Sequence, residues 1–179
     1  MTRKIIAFVG KAGSGKDYSC NKLVEQGYIK VAFADALRKI TFAALGYSYE
    51  YGMEHYDELK QTPLINGLTL RNIMERLSTE GIRNYVDDFW IRCLIKTLDD
   101  IPEDTNVCVS DLRFYNEWEA LYVYTMANGY DFKVTFCDYH SDRYEDNNPH
   151  ISAKLANDLC LLGLKDQEEI SNEVMQRMK

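Results

Sequence analysis

The sequence predicts an α/β fold of three layers around a central, mainly parallel sheet, and two observations carry that prediction. Short apolar runs of strand length alternate with stretches of helical periodicity along the whole chain, and no internal repeat or low-complexity tract interrupts them. The first run, Ile5-Ile6-Ala7-Phe8-Val9, feeds into a glycine-rich turn and then a helical face, the strand–turn–helix order of a doubly wound sheet. At 179 residues the chain is long enough for one well-buried core and short for two. The expected organisation is one domain over 1–179, with a helical insertion at about 35–100 and a lid-like loop at about 138–150.

Each element has its own signal. Cys20, Leu23 and Val24 share a helical face that Gly27 stops, and 28–33 reads as a short strand. Helical spacing returns over 35–45 at Leu37, Ile40, Phe42, Ala43 and Ala44, with Asp35 as N-cap. A tyrosine-rich stretch, 47–56, then leads into a polar segment punctuated by Pro63 and Gly67, where an inserted substrate-binding portion belongs. Segments 70–77 and 86–98 fit helices, and Pro102 closes that section. The run 107–109, flanked by Asn106 and Asp111, reads as a buried strand. A helix over about 114–127 ends at Asn128-Gly129, and 132–136 is the next strand. A polar stretch without periodicity covers 138–149, followed by 151–156, a last strand at 159–162 and a helix at 167–178.

Composition narrows the function classes. A formal charge of -7 argues against a bulk nucleic-acid binder, because phosphate backbones are gripped by clustered Lys and Arg. The apolar run before Gly10 is only five residues long, too short for a signal-peptide core, and no apolar run approaches membrane-spanning length, so a cytosolic location is expected. Cys20, Cys93, Cys108, Cys137 and Cys160 are scattered without metal-ligand spacing and read as reduced thiols. His55, His140 and His150 are isolated, which disfavours a structural zinc site.

The segment that carries chemistry is Gly10-Lys11-Ala12-Gly13-Ser14-Gly15-Lys16-Asp17. Its glycines let the backbone fold back with N–H groups turned inward, and the following helix adds its positive N-terminal end. Lys16 places a point charge where the β- and γ-phosphates of a nucleoside triphosphate lie. The loop therefore implies ATP or GTP. Where the general pattern has Ser or Thr to meet Mg²⁺, this chain has Asp17, and a carboxylate suits an ion that prefers oxygen ligands.

Sheets of this kind bind ligands at the carboxyl ends of their strands, so the residues just beyond each strand are the next candidates. Asp111 and Arg113 follow the 107–109 run: a carboxylate for Mg²⁺ or a substrate hydroxyl, and a planar fork of donors for a phosphate. The structural alternative has Asp111 capping the next helix and Arg113 pairing with Glu117. Asp35 and Arg38 repeat the arrangement after the second strand and suit a phosphate acceptor; an N-cap and a solvated arginine are the alternative. Glu80 and Arg83, with Arg76, surround Gly81, either lining an acceptor pocket or ending a helix with surface charges. Trp90 reads as core, and the tyrosines at 47, 49, 51 and 56 stay outside the site because partial burial of amphipathic rings explains them. Arg143, in the polar stretch near 140, has the position of a lid arginine over a transferring phosphoryl group, or of a solvated loop residue.

Taken in order, these motifs form a pattern. The loop ending Gly15-Lys16-Asp17, then Phe33-Ala34-Asp35-Ala36-Leu37-Arg38, then Ser78-Thr79-Glu80-Gly81-Ile82-Arg83 leading to Asp88-Phe89-Trp90, then Ser110-Asp111-Leu112-Arg113-Phe114 with Asn116-Glu117, resemble the deoxynucleoside monophosphate kinases of bacteriophages nearly end to end. The resemblance implies a P-loop NTPase fold of the nucleotide kinase-like type. It also implies transfer of the γ-phosphoryl of ATP to a deoxynucleoside 5′-monophosphate, Mg²⁺ as the ion, and a cytoplasmic setting, the host's if the chain is phage-encoded. In that picture the loop 10–17 holds ATP, Asp17 and Asp111 serve the metal, and Lys16, Asp111, Arg113 and Arg143 act on the transferring group. Asp35, Arg38, Glu80, Arg83 and Arg113 face the acceptor. The implied partner is the mononucleotide, with neither nucleic-acid polymer nor membrane, and a homodimer is compatible with it. The chain departs from the family where His150-Ile151-Ser152 runs into Ala153-Lys154 instead of an acidic residue, and the lid lacks extra arginines. Two other readings remain: a P-loop kinase with a different small acceptor, similar to phosphomevalonate kinase, and a nucleotide-binding switch or assembly ATPase.

Overall fold

β1 (Lys4–Val9) is buried on both faces, with Ile5, Ala7, Phe8 and Val9 in the core, as befits the inner strand of a parallel sheet. The computed structural model describes residues 2–137 together with 155, 156 and 176. Beside β1 on one side lies β5 (Val107–Val109) and on the other β6 (Asp131–Phe136), while β2 (Ile29–Val31) pairs with β5. All three pairings are parallel, giving the order β2-β5-β1-β6. The register sets Ile5 opposite Val107 and Phe132, and Val9 opposite Phe136.

α1 (Lys16–Val24) connects β1 to β2 in one direction along the sheet, and α8 (Tyr115–Asn128) connects β5 to β6 in the other. Parallel strands are joined by right-handed crossovers, so helices that run in opposite directions cover opposite faces and the layers number three. The mainly parallel sheet and the glycine loop after its inner strand make this a P-loop α/β fold. Gly129 ends α8 in the left-handed conformation (φ 67°), as the Asn128-Gly129 signal predicts.

The chain divides into two compact units, one comprising Met1–Ala32 with Ile95–Lys179, the other Phe33–Leu94. The second unit is helical. It begins with α2 (Ala34–Ala44), α3 (Tyr49–Glu54) and α4 (Tyr56–Leu59), followed by the hairpin β3 (Pro63–Ile65) and β4 (Leu68–Thr69), and then α5 (Leu70–Glu75). A π-helical segment, Arg76–Ile82, the short α6 (Arg83–Tyr85) and the first residues of α7 (Phe89–Asp99) complete it. Its core is Leu37, Phe42, Leu59, Leu70, Met74 and Trp90, so Trp90 is core as expected.

Two local expectations change, for Asp35 and Gly81, and two segments given no element by the sequence take one. Phe33, already helical in φ and ψ, precedes α2, so Asp35 lies in the first turn and is not the N-cap. The tyrosine-rich stretch forms two short helices, the first capped by Ser48, whose hydroxyl accepts from the Tyr51 amide. The polar segment around Gly67 is a hairpin: Asn66 and Gly67 both take positive φ (51° and 77°), the requirement of a two-residue primed turn. Gly81 sits within the π-helical segment and does not end a helix. The elements expected beyond residue 137, including the lid-like loop at 138–150 and the strand at 159–162, lie outside the described residues. Among the described residues no helix is long and apolar enough to cross a membrane.

Candidate functional site

The loop between β1 and α1 owes its course to two glycines in particular. Gly15 holds a left-handed φ of 85° as the residue that precedes α1, a conformation costly for a side chain with Cβ. At Gly10 a Cβ would lie 2.4 Å from the Cys137 carbonyl oxygen and 2.5 Å from Ser14 Oγ, so nothing larger than hydrogen fits. Between them Gly13 is also left-handed (φ 75°), and the Ser14 amide closes a turn onto the Lys11 carbonyl at 3.2 Å. Lys11 and Ala12, half-buried, form the tip, while Ser14 is buried. Successive left-handed turns at a helix start form the concave backbone that receives an anion.

Lys16 Nζ donates to the Gly10 carbonyl at 2.6 Å, to the Lys11 carbonyl at 2.5 Å and to Ser14 Oγ at 3.4 Å, which draws the ammonium back across the mouth of its own loop. Burial and then the Arg113 guanidinium push its pKa down to about 8, against the opposing pull of Cys137, Asp17 and Asp111. An anion brought to this half-buried ammonium would offset the cost of its burial.

The strand ends converge on this loop. Leu112 N donates to the Phe8 carbonyl at 3.2 Å, Ser110 N to Val31 O at 3.1 Å, and Cys137 N to Val9 O at 2.8 Å, which ties the exits of β5, β2 and β6 into one rim around β1. Asp111 is buried at that rim, Arg113 is exposed, and both act electrostatically on Lys16. The buried Glu117 carboxylate accepts the Arg113 and Phe114 amides at 2.9 and 3.1 Å and so satisfies backbone donors at the start of α8.

Asp17 is exposed, and its Oδ1 accepts from Lys30 Nζ at 2.7 Å. The sequence offers no signal for this pair, since Lys30 lies on β2 and the packing of α1 against that strand brings it to Asp17. Asp17 and Asp111 therefore share the neighbourhood of Lys16, and their oxygens are the donors a hard divalent cation takes. Among the described residues no group of three or more His, Cys, Asp or Glu forms an all-protein cage. Mg²⁺ that arrives with a nucleotide needs none, because it is held by one or two carboxylates, phosphate oxygens and water.

Beneath the loop, Cys20, Cys108 and Cys137 pack with Phe8 in a buried cluster. All three thiols are free, and Ser19 Oγ lies 3.9 Å from Cys137 Sγ. Burial raises the pKa of the Cys137 thiol, against the Ser19 hydroxyl and the Lys16 ammonium, which lower it.

In the second unit, Arg38 Nη1 donates to Asp35 Oδ1 at 2.7 Å, an i,i+3 pair on α2 with side chains 17 % and 32 % exposed. The guanidinium also lies over the Tyr56 ring, 5.2 Å from its centre. Tyr49 is close enough that its hydroxyl pKa is raised, by burial first and then by the Asp35 carboxylate. Glu80, exposed, falls in the π-helical segment, where Asn84 Nδ2 donates to its carbonyl at 2.6 Å; Arg83, half-buried, opens α6. A π-helical turn widens the backbone ladder and recurs at functional sites. Tyr49 and Tyr56, excluded by the sequence reading, join the residues around Arg38. Their spacing shows only amphipathic burial, and the fold is what sets the Tyr56 ring against Arg38 and the Tyr49 ring against Lys39, 5.7 Å from its ammonium. Arg143 lies outside the described residues.

No protein-family model matches the chain, and no curated protein sequence matches it. Solved structures do. The APS kinase CysC of Mycobacterium tuberculosis, as a cysteine-to-alanine mutant, is 18% identical, with a TM-score of 0.40 over 91% of this chain and 99% of that one. The same enzyme with AMPPNP and APS gives 18% identity and a TM-score of 0.43 over 83% and 69% of the two chains. The protein TT1252 of Thermus thermophilus gives 18% and 0.41 over 96% and 78%. At these scores the chemistry of the site rests on its own residues.

Proposed function

We propose that the chain is an ATP-dependent kinase that transfers the γ-phosphoryl group to the 5′-phosphate of a deoxynucleoside monophosphate, giving the diphosphate. The observation that carries this reading is a glycine loop at the exit of β1 with a half-buried Lys16 at its mouth and Asp17, Asp111 and Arg113 within electrostatic reach of it. The acceptor is supported by the order of the downstream motifs and by the Asp35–Arg38 pair, whose oriented guanidinium suits a phosphate dianion.

In this mechanism the loop amides and Lys16 bind the triphosphate, and Lys16 exchanges its carbonyl partners for phosphate oxygens. Asp17 and Asp111 would hold Mg²⁺, which neutralises developing charge on the phosphates. Arg113 and Arg143 neutralise the equatorial oxygens of the transferring group. Arg38, with Asp35, Glu80 and Arg83, orients the acceptor so that one of its phosphate oxygens bonds to γ-phosphorus as the bond to the β,γ-bridging oxygen breaks and ADP leaves. No protein nucleophile is needed, since positioning and charge neutralisation supply the rate.

The purified protein incubated with Mg-ATP and each deoxynucleoside monophosphate should yield a nucleoside diphosphate from at least one of them. If none reacts while another metabolite is phosphorylated, the acceptor is wrong; slow ATP turnover indifferent to any acceptor would identify a switch. Absence of calorimetric heat with millimolar triphosphates would remove the whole reading.

A further inference from the structure

We propose that Tyr56 is a positioning residue that sets the plane of the Arg38 guanidinium for the acceptor phosphate, an inference that rests on the acceptor reading above. A phosphate is recognised through two parallel N–H bonds only when the guanidinium plane is fixed, and a free arginine spreads over many rotamers. Two contacts of different kind restrain this one. The Asp35 carboxylate takes an edge of the guanidinium at 2.7 Å, and the Tyr56 ring takes its face, with 5.2 Å from guanidinium carbon to ring centre. An edge contact alone permits tilt and a face contact alone permits rotation in the plane; together they leave one orientation.

The ring is itself held. It meets Phe42 edge to face, with centres 6.3 Å apart and planes at 87°, and its hydroxyl reaches Met74 Sδ at 4.0 Å, both partners belonging to the core of this unit. Lys60 Nζ also lies over the ring, at 4.6 Å, where Asp57 draws on the same ammonium at 2.7 Å. Tyr56 is half-buried, so its exposed part is available to a cation while its inner edge is locked. A residue that only filled space here would be replaceable by leucine, whereas one that acts through its ring face would not.

Steady-state kinetics on the full chain tests this with four variants: Tyr56→Phe, Tyr56→Leu, Arg38→Ala and the double variant Tyr56→Leu/Arg38→Ala. Tyr56→Phe should keep the acceptor KM within about twofold, and Tyr56→Leu should raise it about five- to tenfold, with the KM for ATP unchanged. In the Arg38→Ala background the leucine substitution should add nothing, because the residue through which Tyr56 acts is gone. If the leucine variant unfolds, fluorinated phenylalanines at position 56 take its place, since they keep the shape while draining the ring face of negative potential; acceptor KM should climb with fluorine count. Equal losses with and without Arg38, or a flat fluorination series, overturn the proposal. If Arg38→Ala itself leaves acceptor KM unchanged, the fault lies in the acceptor reading, and the positioning role falls with it.

Discussion

Under the proposed function, the phosphate loop and the Arg38 cluster are two ways of building an anion site. The loop is made of backbone: its shape comes from glycine φ values, and its anchor points are amide–carbonyl bonds that tie the exits of β2, β5 and β6 to the sheet. The Arg38 cluster is made of side chains, with one cation on α2 oriented by a carboxylate one turn earlier and by a ring from α4. A backbone site dictates residue identity at each position because only certain residues adopt its geometry. A side-chain site dictates only that suitable partners arrive, and many sequences satisfy it.

The largest effect that separates the two belongs to Lys16→Ala. Loss of the ammonium from the reaction centre should lower kcat by about 10²- to 10³-fold. Unfolding temperature should not fall below that of the parent chain, because the lost bonds end on loop carbonyls and the cost of burying the ammonium is lost with them. Rapid-quench turnover and calorimetric melting read both quantities. Unchanged kcat would mean that the backbone loop is not the centre of the chemistry.

Gly10→Ala tests whether backbone geometry is as strict as proposed. The added methyl meets the Cys137 carbonyl oxygen and Ser14 Oγ at distances a methyl carbon does not tolerate, so the loop and the end of β6 must move apart. Overpacking of this kind costs about 1–3 kcal/mol, and ATP affinity should fall about tenfold or more. Alanine scanning of the Arg38 cluster should show no comparable loss of ATP affinity, which isothermal titration can verify.

These contrasts explain what the sequence made legible. The glycines, Lys16 and the apolar run before them are local requirements, so their spacing reveals the loop, and the alternation of strands with helices reveals the sheet. The Lys30–Asp17 pair and the Tyr56–Arg38 contact are tertiary. Neither partner's neighbours along the chain announce it, and the packing of a helix against a strand or of short helices against one another is what brings each pair together. The hairpin turn at Asn66-Gly67 is a different case, for its dipeptide is a strong local signal, obscured because the flanking strands are too short to show alternation. The π-helical segment has no local signal at all; Gly81 suggests an end, and the wider ladder simply continues through it.

The lowered pKa of Lys16 separates binding from stability by sign. The unfolded lysine titrates at 10.5 and the folded one at about 8, so between those values the unfolded chain binds the extra proton and stability rises with pH across the window. Below about 8 the folded state carries the full cost of a buried ammonium. Nucleotide affinity moves the other way: above about 8 the free protein loses the charge that ATP needs, and kcat/KM for ATP should fall, approaching tenfold per pH unit. In kcat the same limb should appear at higher pH, because bound phosphates favour the charged amine. Parallel pH series of denaturant unfolding and of kcat/KM would expose the opposing slopes, and slopes of the same sign would assign the limb to another group.

The smallest effect concerns only the second unit. Thr69 caps α5 with a reciprocal box: its hydroxyl accepts from the Asn72 amide at 3.4 Å while Asn72 Oδ1 accepts from the Thr69 amide at 3.2 Å. Thr69→Ala removes the first bond and leaves the Asn72 amide to water, at a cost of about 1 kcal/mol. α5 carries Leu70 and Met74 into the core that also holds Phe42, and Met74 meets the Tyr56 hydroxyl. A frayed α5 should therefore loosen the ring that orients Arg38. Hydrogen exchange should quicken in α5, and the acceptor KM should rise by less than about twofold. The loop glycines have no part in that chain of contacts, so ATP affinity should stay constant. A fall in ATP affinity from this one exposed hydroxyl would show that the backbone site and the side-chain site are not independent.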